Sequence, residues 1–246
     1  FDKYNSPQAI LSRDETLESL KTCKALICLS KYHERWLKEY LKDYDIHIFS
    51  VLHPTEVPQR QWNFQNYLNN RNKKVVQIGF WLRKLNSIRF LETHREKVWL
   101  PGQEYAKTIM EVEAKLTIGN WYTNPDSTYS EEQQISIPDH LNNTEYDTLL
   151  SENIGFVDLY DSSANNAVIE CIARNTPLLI NRLPAVVEYL GENYPFYFRD
   201  LQEASDKLHD DKMIMSTYKY LCRRNKSFLS RSTFRNNVVR NLIGKI

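Results

Sequence analysis

Residues 160–191, YDSSANNAVIECIARNTPLLINRLPAVVEYLG, constrain the fold more than any other part of the chain. They read as strand, polar turn, helix, strand, turn and helix. The polar turn Asp161-Ser162-Ser163 precedes a run whose apolar residues Val168, Ile169, Cys171 and Ile172 recur at helical spacing. Thr176-Pro177 introduces the short apolar strand Leu178-Leu179-Ile180, and Pro184 opens a second helix. Strands alternating with helices in this way build a parallel sheet joined by right-handed crossovers.

The rest of the chain keeps the alternation. Residues 25–30 are an apolar strand closed by a helix-capping serine, Ser30. A helix follows over 31–44 with Trp36, Leu37, Tyr40 and Leu41 at helical spacing, then a strand over 46–52. Residues 53–71, broken by Pro54 and Pro58 and rich in Gln and Asn, read as a linker. A new unit opens with the strand Lys73-Lys74-Val75-Val76-Gln77-Ile78-Gly79. Helices are predicted over 81–91, 105–115 and 141–151, and strands over 98–100, 116–118, 135–137 and 155–159. Three helices, 201–209, 212–225 and 226–243, end the chain. The fold class is α/β, a doubly wound Rossmann-like parallel sheet. The expected organisation is a short N-terminal α/β piece, 1–60, and a larger unit, 61–246, that carries the C-terminal helices.

Ligands of open α/β sheets bind beyond the carboxyl ends of the strands, and the sequence offers three groups there. Gly79 follows the strand 73–78, and Arg83 and Lys84 follow Gly79. A glycine lets a ligand approach the backbone, and a planar guanidinium matches a diphosphate. The alternative is a turn followed by the solvated basic start of a helix. Ser162, Ser163, Ala164, Asn165, Asn166 and Ala167 form the second group. Their backbone N–H groups face outward at a helix start, where an anion is stabilised. Small side chains permit close approach, and the Asn165 and Asn166 amides can donate; the alternative is capping by Ser162 or Ser163. The third is Glu170, three positions past Ala167 on the same helix face among Val168, Cys171 and Ile172. A carboxylate in such surroundings needs partners. Sugar or ribose hydroxyls can supply them, or Arg174 at i+4.

The run from Glu170 to Gly191 resembles the donor-binding half of GT-B glycosyltransferases, particularly the large retaining group called group 1 or family 4. Those enzymes carry E-x7-E, a small-residue helix, a T-P strand and a P-x-V-V helix. Glu170 matches the second Glu, Asn175-Thr176-Pro177-Leu178-Leu179-Ile180 the strand, and Pro184-Ala185-Val186-Val187-Glu188 the last helix. Ser162 stands where the family has its first Glu, with Asp161 one residue back. Either can face the transferred sugar. The resemblance implies that Glu170 binds ribose hydroxyls and that Arg83 and Lys84 hold the donor diphosphate. It further implies that the strand-end loop at Ile137 reads the base through its backbone. Residues 61–246 would be the nucleotide-sugar donor domain and 1–60 a remnant of the acceptor side. The expected reaction moves a sugar from a nucleoside diphosphate to a glycan or other hydroxyl acceptor, with retention and with no metal or other cofactor. A non-catalytic nucleotide-sugar-binding domain and a sugar-nucleotide epimerase are the competing expectations.

Composition narrows the field further. A net charge of +1 over 246 residues gives no bulk attraction to nucleic acid or an anionic membrane. No apolar run approaches the roughly 20 residues of a membrane-spanning helix. Cys23, Cys28, Cys171 and Cys222 have no C-x-x-C spacing, and Cys28 and Cys171 lie in apolar segments. Free thiols in a reducing, cytoplasmic setting are the expectation. The six histidines show no paired metal-ligand spacing, and no P-loop, G-x-G-x-x-G or G-x-S-x-G motif occurs.

Overall fold

Two separate sheets organise the molecule in the computed structural model, which describes residues 7–102, 108, 135–138 and 141–243. The smaller is built from α1 (Pro7–Leu11), α2 (Asp14–Thr22), β1 (Ala25–Cys28), α3 (Lys31–Tyr40) and β2 (His47–Ser50). β1 and β2 pair in parallel, with Ala25 against His47. Leu20, Cys28, Leu37, Leu41 and Ile48 form its own buried cluster. Ser30 caps α3 as the sequence predicts, its Oγ accepting from the His33 N–H at 3.1 Å.

The larger unit contains α4 (Phe64–Asn69), β3 (Lys74–Ile78), α5 (Ser87–Phe90), β4 (Glu96–Leu100), β5 (Ile135–Ser136), α6 (Asn143–Glu152) and β6 (Ile154–Val157). It continues through α7 (Asn166–Arg174), β7 (Leu178–Asn181), α8 (Pro184–Leu190), β8 (Tyr197–Phe198), α9 (Leu201–His209), α10 (Asp211–Arg223) and α11 (Arg231–Leu242). Its sheet runs β5-β4-β3-β6-β7-β8 with every pairing parallel. From β3 the chain first builds outward through β4 and β5, then returns to lay β6, β7 and β8 on the other side. The order reverses between β3 and β6, the neighbours at a topological switch point, and their carboxyl ends open the crevice where α/β sheets bind ligands. Val75, Val76, Phe156, Val157, Leu178, Leu179 and Ile180 are fully buried, as strands covered by helices on both faces must be.

Several sequence expectations are corrected. The stretch 53–71 is not a loose linker: Trp62 and Tyr67 are buried in the main core. Trp62 donates from its backbone to Arg174 O at 2.8 Å and from its indole to Asn153 O at 2.9 Å. The helix expected over 81–91 shrinks to α5, because residues 82–84 pair with the chain after β6 instead. The last predicted helix divides into a short 3-10 turn, Ser227–Leu229, and α11, with Ser230 capping α11 through its acceptance of the Thr233 N–H at 3.1 Å. The strand expected over 135–137 is two residues long. The helix over 105–115 and the strand over 116–118 lie outside the described residues.

Several hydrogen bonds join the two units. The Tyr189 hydroxyl donates to Leu29 O at 2.7 Å and accepts from the His53 N–H at 2.9 Å. The Thr55 N–H donates to Leu229 O at 2.9 Å. The Glu188 carboxylate accepts from the Lys31 and Tyr32 N–H groups, both at 2.7 Å. A negative charge thereby sits on the positive end of α3.

Candidate functional site

The loops after β3 and β6 meet at the switch point. Lys84 N–H donates to Asp158 O and Tyr160 N–H to Leu82 O, both at 2.9 Å, and Arg83 and Leu159 form an antiparallel bridge. Leu82 is held at φ 60, a conformation costly for a branched side chain and sustained by this stitching.

Arg83 is fixed on three sides. Its Nε donates to Ile78 O at 2.8 Å, Nη1 to Trp81 O at 2.5 Å and Nη2 to Asn165 Oδ1 at 3.2 Å. Gly79, at φ +78, makes room for it: a Cβ there would stand 3.0 Å from Arg83 Cζ. The glycine was expected to admit a ligand, yet the group it admits is a guanidinium of the chain itself. A guanidinium carries five N–H bonds, and two have no partner among the described residues. Burial lowers the Arg83 guanidinium to about 10, with Tyr146 acting in the opposite sense, so it stays charged at neutral pH. Lys84 is drawn elsewhere. Its Nζ lies 3.1 Å from Asp158 Oδ1 and 5.9 Å from the Tyr160 ring centroid. Asp158 is buried and also accepts from Ser87 Oγ at 2.7 Å. Burial raises its carboxyl, against the pull of Lys84 and Ser87.

In the loop after β6, Asp161 Oδ1 accepts the N–H of Ser162 at 2.8 Å, and Ser162 is buried. Ser163 points to the smaller unit, its Oγ lying 3.1 Å from Ser30 Oγ and 3.2 Å from His33 Nδ1. Burial lowers the His33 imidazole, with Asp161 opposing. Neither serine caps α7. The cap is Asn165, whose Oδ1 accepts from the Val168 N–H at 3.4 Å while also accepting from Arg83. One side-chain oxygen therefore both starts the helix and fixes the guanidinium. Asn166 is exposed at the first helical position and Ala167 is buried behind it.

Glu170 sits one turn further along α7. The ion pair with Arg174 expected as its alternative partner does not form. Arg174 Nε donates to Asp147 Oδ1 at 2.9 Å, Nη2 reaches the same oxygen, and only Nη1 returns to the Glu170 backbone carbonyl, at 3.2 Å. The Glu170 carboxylate instead accepts from the Tyr146 hydroxyl at 2.5 Å.

The candidate residues Gly79, Arg83, Asn165, Asn166, Ala167 and Glu170 are thus gathered at one crevice. Ser163 joins it to the smaller unit, with Asp161 beside it and Ser162 buried between them. Lys84 is adjacent but committed to Asp158. Ile137 packs at the edge of the main core beyond β5, beside residues outside the described ones. Sequence reasoning missed Tyr146, Asp147, Asp158 and Ser87. The one legible signal near Tyr146 was the capping box formed by Asn142 and Glu145, which fixes where α6 begins. Among the described residues no group of three His, Cys, Asp or Glu side chains can hold a metal ion, and no helix is long and apolar enough to cross a membrane.

No protein-family model matches the chain, and no curated protein matches it in sequence. Solved structures do match. Sucrose-phosphate synthase from Thermosynechococcus elongatus aligns at TM-score 0.67 and 12% identity over 97% of this chain and 63% of that one. A UDP-forming α,α-trehalose-phosphate synthase from Burkholderia xenovorans aligns at 0.64 and 10% over 98% and 66%. The pneumococcal O-GlcNAc transferase GtfA, solved with UDP and GlcNAc, aligns at 0.55 and 12% over 94% and 47%. The chain spans about half to two thirds of the length of these structures. The fold is accordingly Rossmann-like α/β of the GT-B type.

Proposed function

We propose that the crevice binds a nucleoside diphosphate sugar and that the protein transfers its glycosyl group to a hydroxyl of a glycan or other acceptor. The observation that carries this reading is the joint placement of Arg83, Asn165 and Glu170 at the switch point of a GT-B fold. A fixed cation and the open first turn of α7 suit a diphosphate. A carboxylate one turn further along suits ribose hydroxyls. Arg83 and the N–H groups of the first turn stabilise the charge that develops on the leaving diphosphate. Lys84 stays paired with Asp158 and contributes little to the diphosphate. A donor phosphate oxygen takes the acceptor proton on the face that the diphosphate leaves, which gives retention without a metal and without a side-chain base. Asp161 faces the sugar from the rim. Residues 61–246 form the donor domain in this reading, and 1–60 belong to the acceptor side.

One observation favours a second reading. Ser162 stands where the family pattern has its first Glu, and it is buried rather than aimed into the crevice. A domain that binds nucleotide sugars without transferring them would tolerate that loss.

Calorimetry with UDP, ADP, GDP and CDP tests the first reading. Micromolar binding of one of them, weakened at least tenfold in Glu170→Ala, is expected. No binding of any, with Glu170→Ala unchanged in stability, would overturn it. Binding with neither sugar transfer nor donor hydrolysis would select the second reading.

A further inference from the structure

Tyr146 was singled out by no motif, yet it holds the carboxylate at one end of the crevice. Its hydroxyl donates to Glu170 Oε2 at 2.5 Å. Its ring lies 5.5 Å from Arg174 Cζ. Burial and the adjacent Glu170 carboxylate raise its phenol far above the ordinary range, so it remains a donor. No other described residue donates to the Glu170 carboxylate.

The sequence around Glu170 invites a different outcome. Arg174 lies four residues on, the spacing at which Glu and Arg pair along a helix. Asp147 prevents this by holding Nε and Nη2, and the Tyr146 ring stands over the guanidinium. Two consecutive residues of α6 therefore divide the work. Asp147 keeps Arg174 away, and Tyr146 fixes the carboxylate that is left. A carboxylate has about four acceptor positions, so with Oε2 engaged by Tyr146, Oε1 is left oriented for an incoming hydroxyl.

We infer that Tyr146 is a positioning residue for ribose recognition, acting through Glu170 to make the site prefer ribonucleotides to nucleotides lacking the ribose hydroxyls. The inference rests on the donor-site reading above. A site built to pair with a hydroxyl rejects the analogue without it, because the acceptor is then left unpaired. Without the Tyr146 hydroxyl the carboxylate loses the donor that fixes its orientation, and that preference goes.

The test measures binding of UDP, ADP and GDP, each beside its 2′,3′-dideoxy counterpart, to wild type, Tyr146→Phe, Glu170→Gln and the double variant, with a melting curve for each. Wild type should prefer the ribonucleotide by about thirtyfold, as expected for one hydrogen bond to a charged group. Tyr146→Phe should cut the preference to about threefold, leave dideoxynucleotide affinity unchanged and melt as a single cooperative transition. In the Glu170→Gln background, Tyr146→Phe should change nothing further. Asp147→Asn, which frees Arg174 to reach Glu170, should also reduce the preference and serves if Tyr146→Phe does not fold. Equal weakening of both ligand classes in Tyr146→Phe, or an undiminished preference, would overturn the role of Tyr146 and leave the donor site standing. Failure of the wild type to bind any nucleotide, or to prefer ribose, would overturn both.

Discussion

The loops that leave β3 and β6 start side by side at the carboxyl end of the sheet and use their polar groups in opposite ways. The loop after β3 turns its cations inward. Arg83 satisfies two carbonyls of its own loop and strand, and Lys84 neutralises a buried aspartate. The loop after β6 leads into the first turn of α7, whose side-chain cap, Asn165, is shared with Arg83. One loop is a brace and the other a receptor. Basic residues after a strand therefore do not by themselves mark a phosphate site, since the fold can consume the charge that the sequence displays.

Removing Lys84 should separate the two roles most sharply. Lys84→Ala leaves Asp158 buried without its cation and should cost about 3 kcal/mol of stability, while nucleotide affinity changes by less than about threefold. Chemical denaturation and calorimetry read the two effects, and a large loss of affinity at full stability would reverse the assignment. Arg83→Ala should weaken nucleoside diphosphate binding by about thirtyfold, near 2 kcal/mol, the value of a hydrogen bond to a charged group. Arg83→Lys should not restore it, because an ammonium cannot span Ile78, Trp81 and Asn165 together.

Asn165 tests the receptor side. Asn165→Ala should cost about 1 kcal/mol through the lost cap. Asn165→Asp keeps an acceptor and so should retain stability, yet weaken diphosphate binding by placing a negative charge at the helix start. An affinity loss in Asn165→Ala with none in Asn165→Asp would show that capping is the residue's whole role. The smallest expected effect is a pH dependence at the rim. His33 titrates lower folded than its ordinary value of 6.5. Its contribution to stability is thus fully present above the unfolded value and is lost as pH falls through about 6.5 toward the folded value. Wild type should lose stability between pH 7 and pH 5, and His33→Gln should flatten that part of the curve, read as melting temperature against pH.

The contrast also explains what could be read beforehand. The receptor side was legible because its logic is local: α7, the T-P turn, β7 and α8 follow one another, and the positions of Asn165 and Glu170 follow from them. Even there the identity of the cap was misread, since Ser162, Ser163 and Asn165 are all good capping residues and only contact with Arg83 decides among them. The brace was not legible. Residues 81–91 carry a helical pattern, and a non-local pairing of residues 82–84 with 158–160 overrides it. Tyr146 was invisible for a related reason: it lies 24 residues before Glu170, on a helix whose start was legible but whose facing partner was not. The alternative Glu170–Arg174 pair fitted the spacing and lost to Asp147, which no local rule includes.

The most direct test of the central claim is a crystal structure with a bound nucleoside diphosphate. The account predicts the diphosphate against the N–H groups of Asn166 and Ala167 and the guanidinium of Arg83, with a ribose hydroxyl on Glu170 and Lys84 still beside Asp158. A nucleotide bound away from the β3–β6 switch point, or one held by Lys84 with Arg83 turned from it, would contradict it.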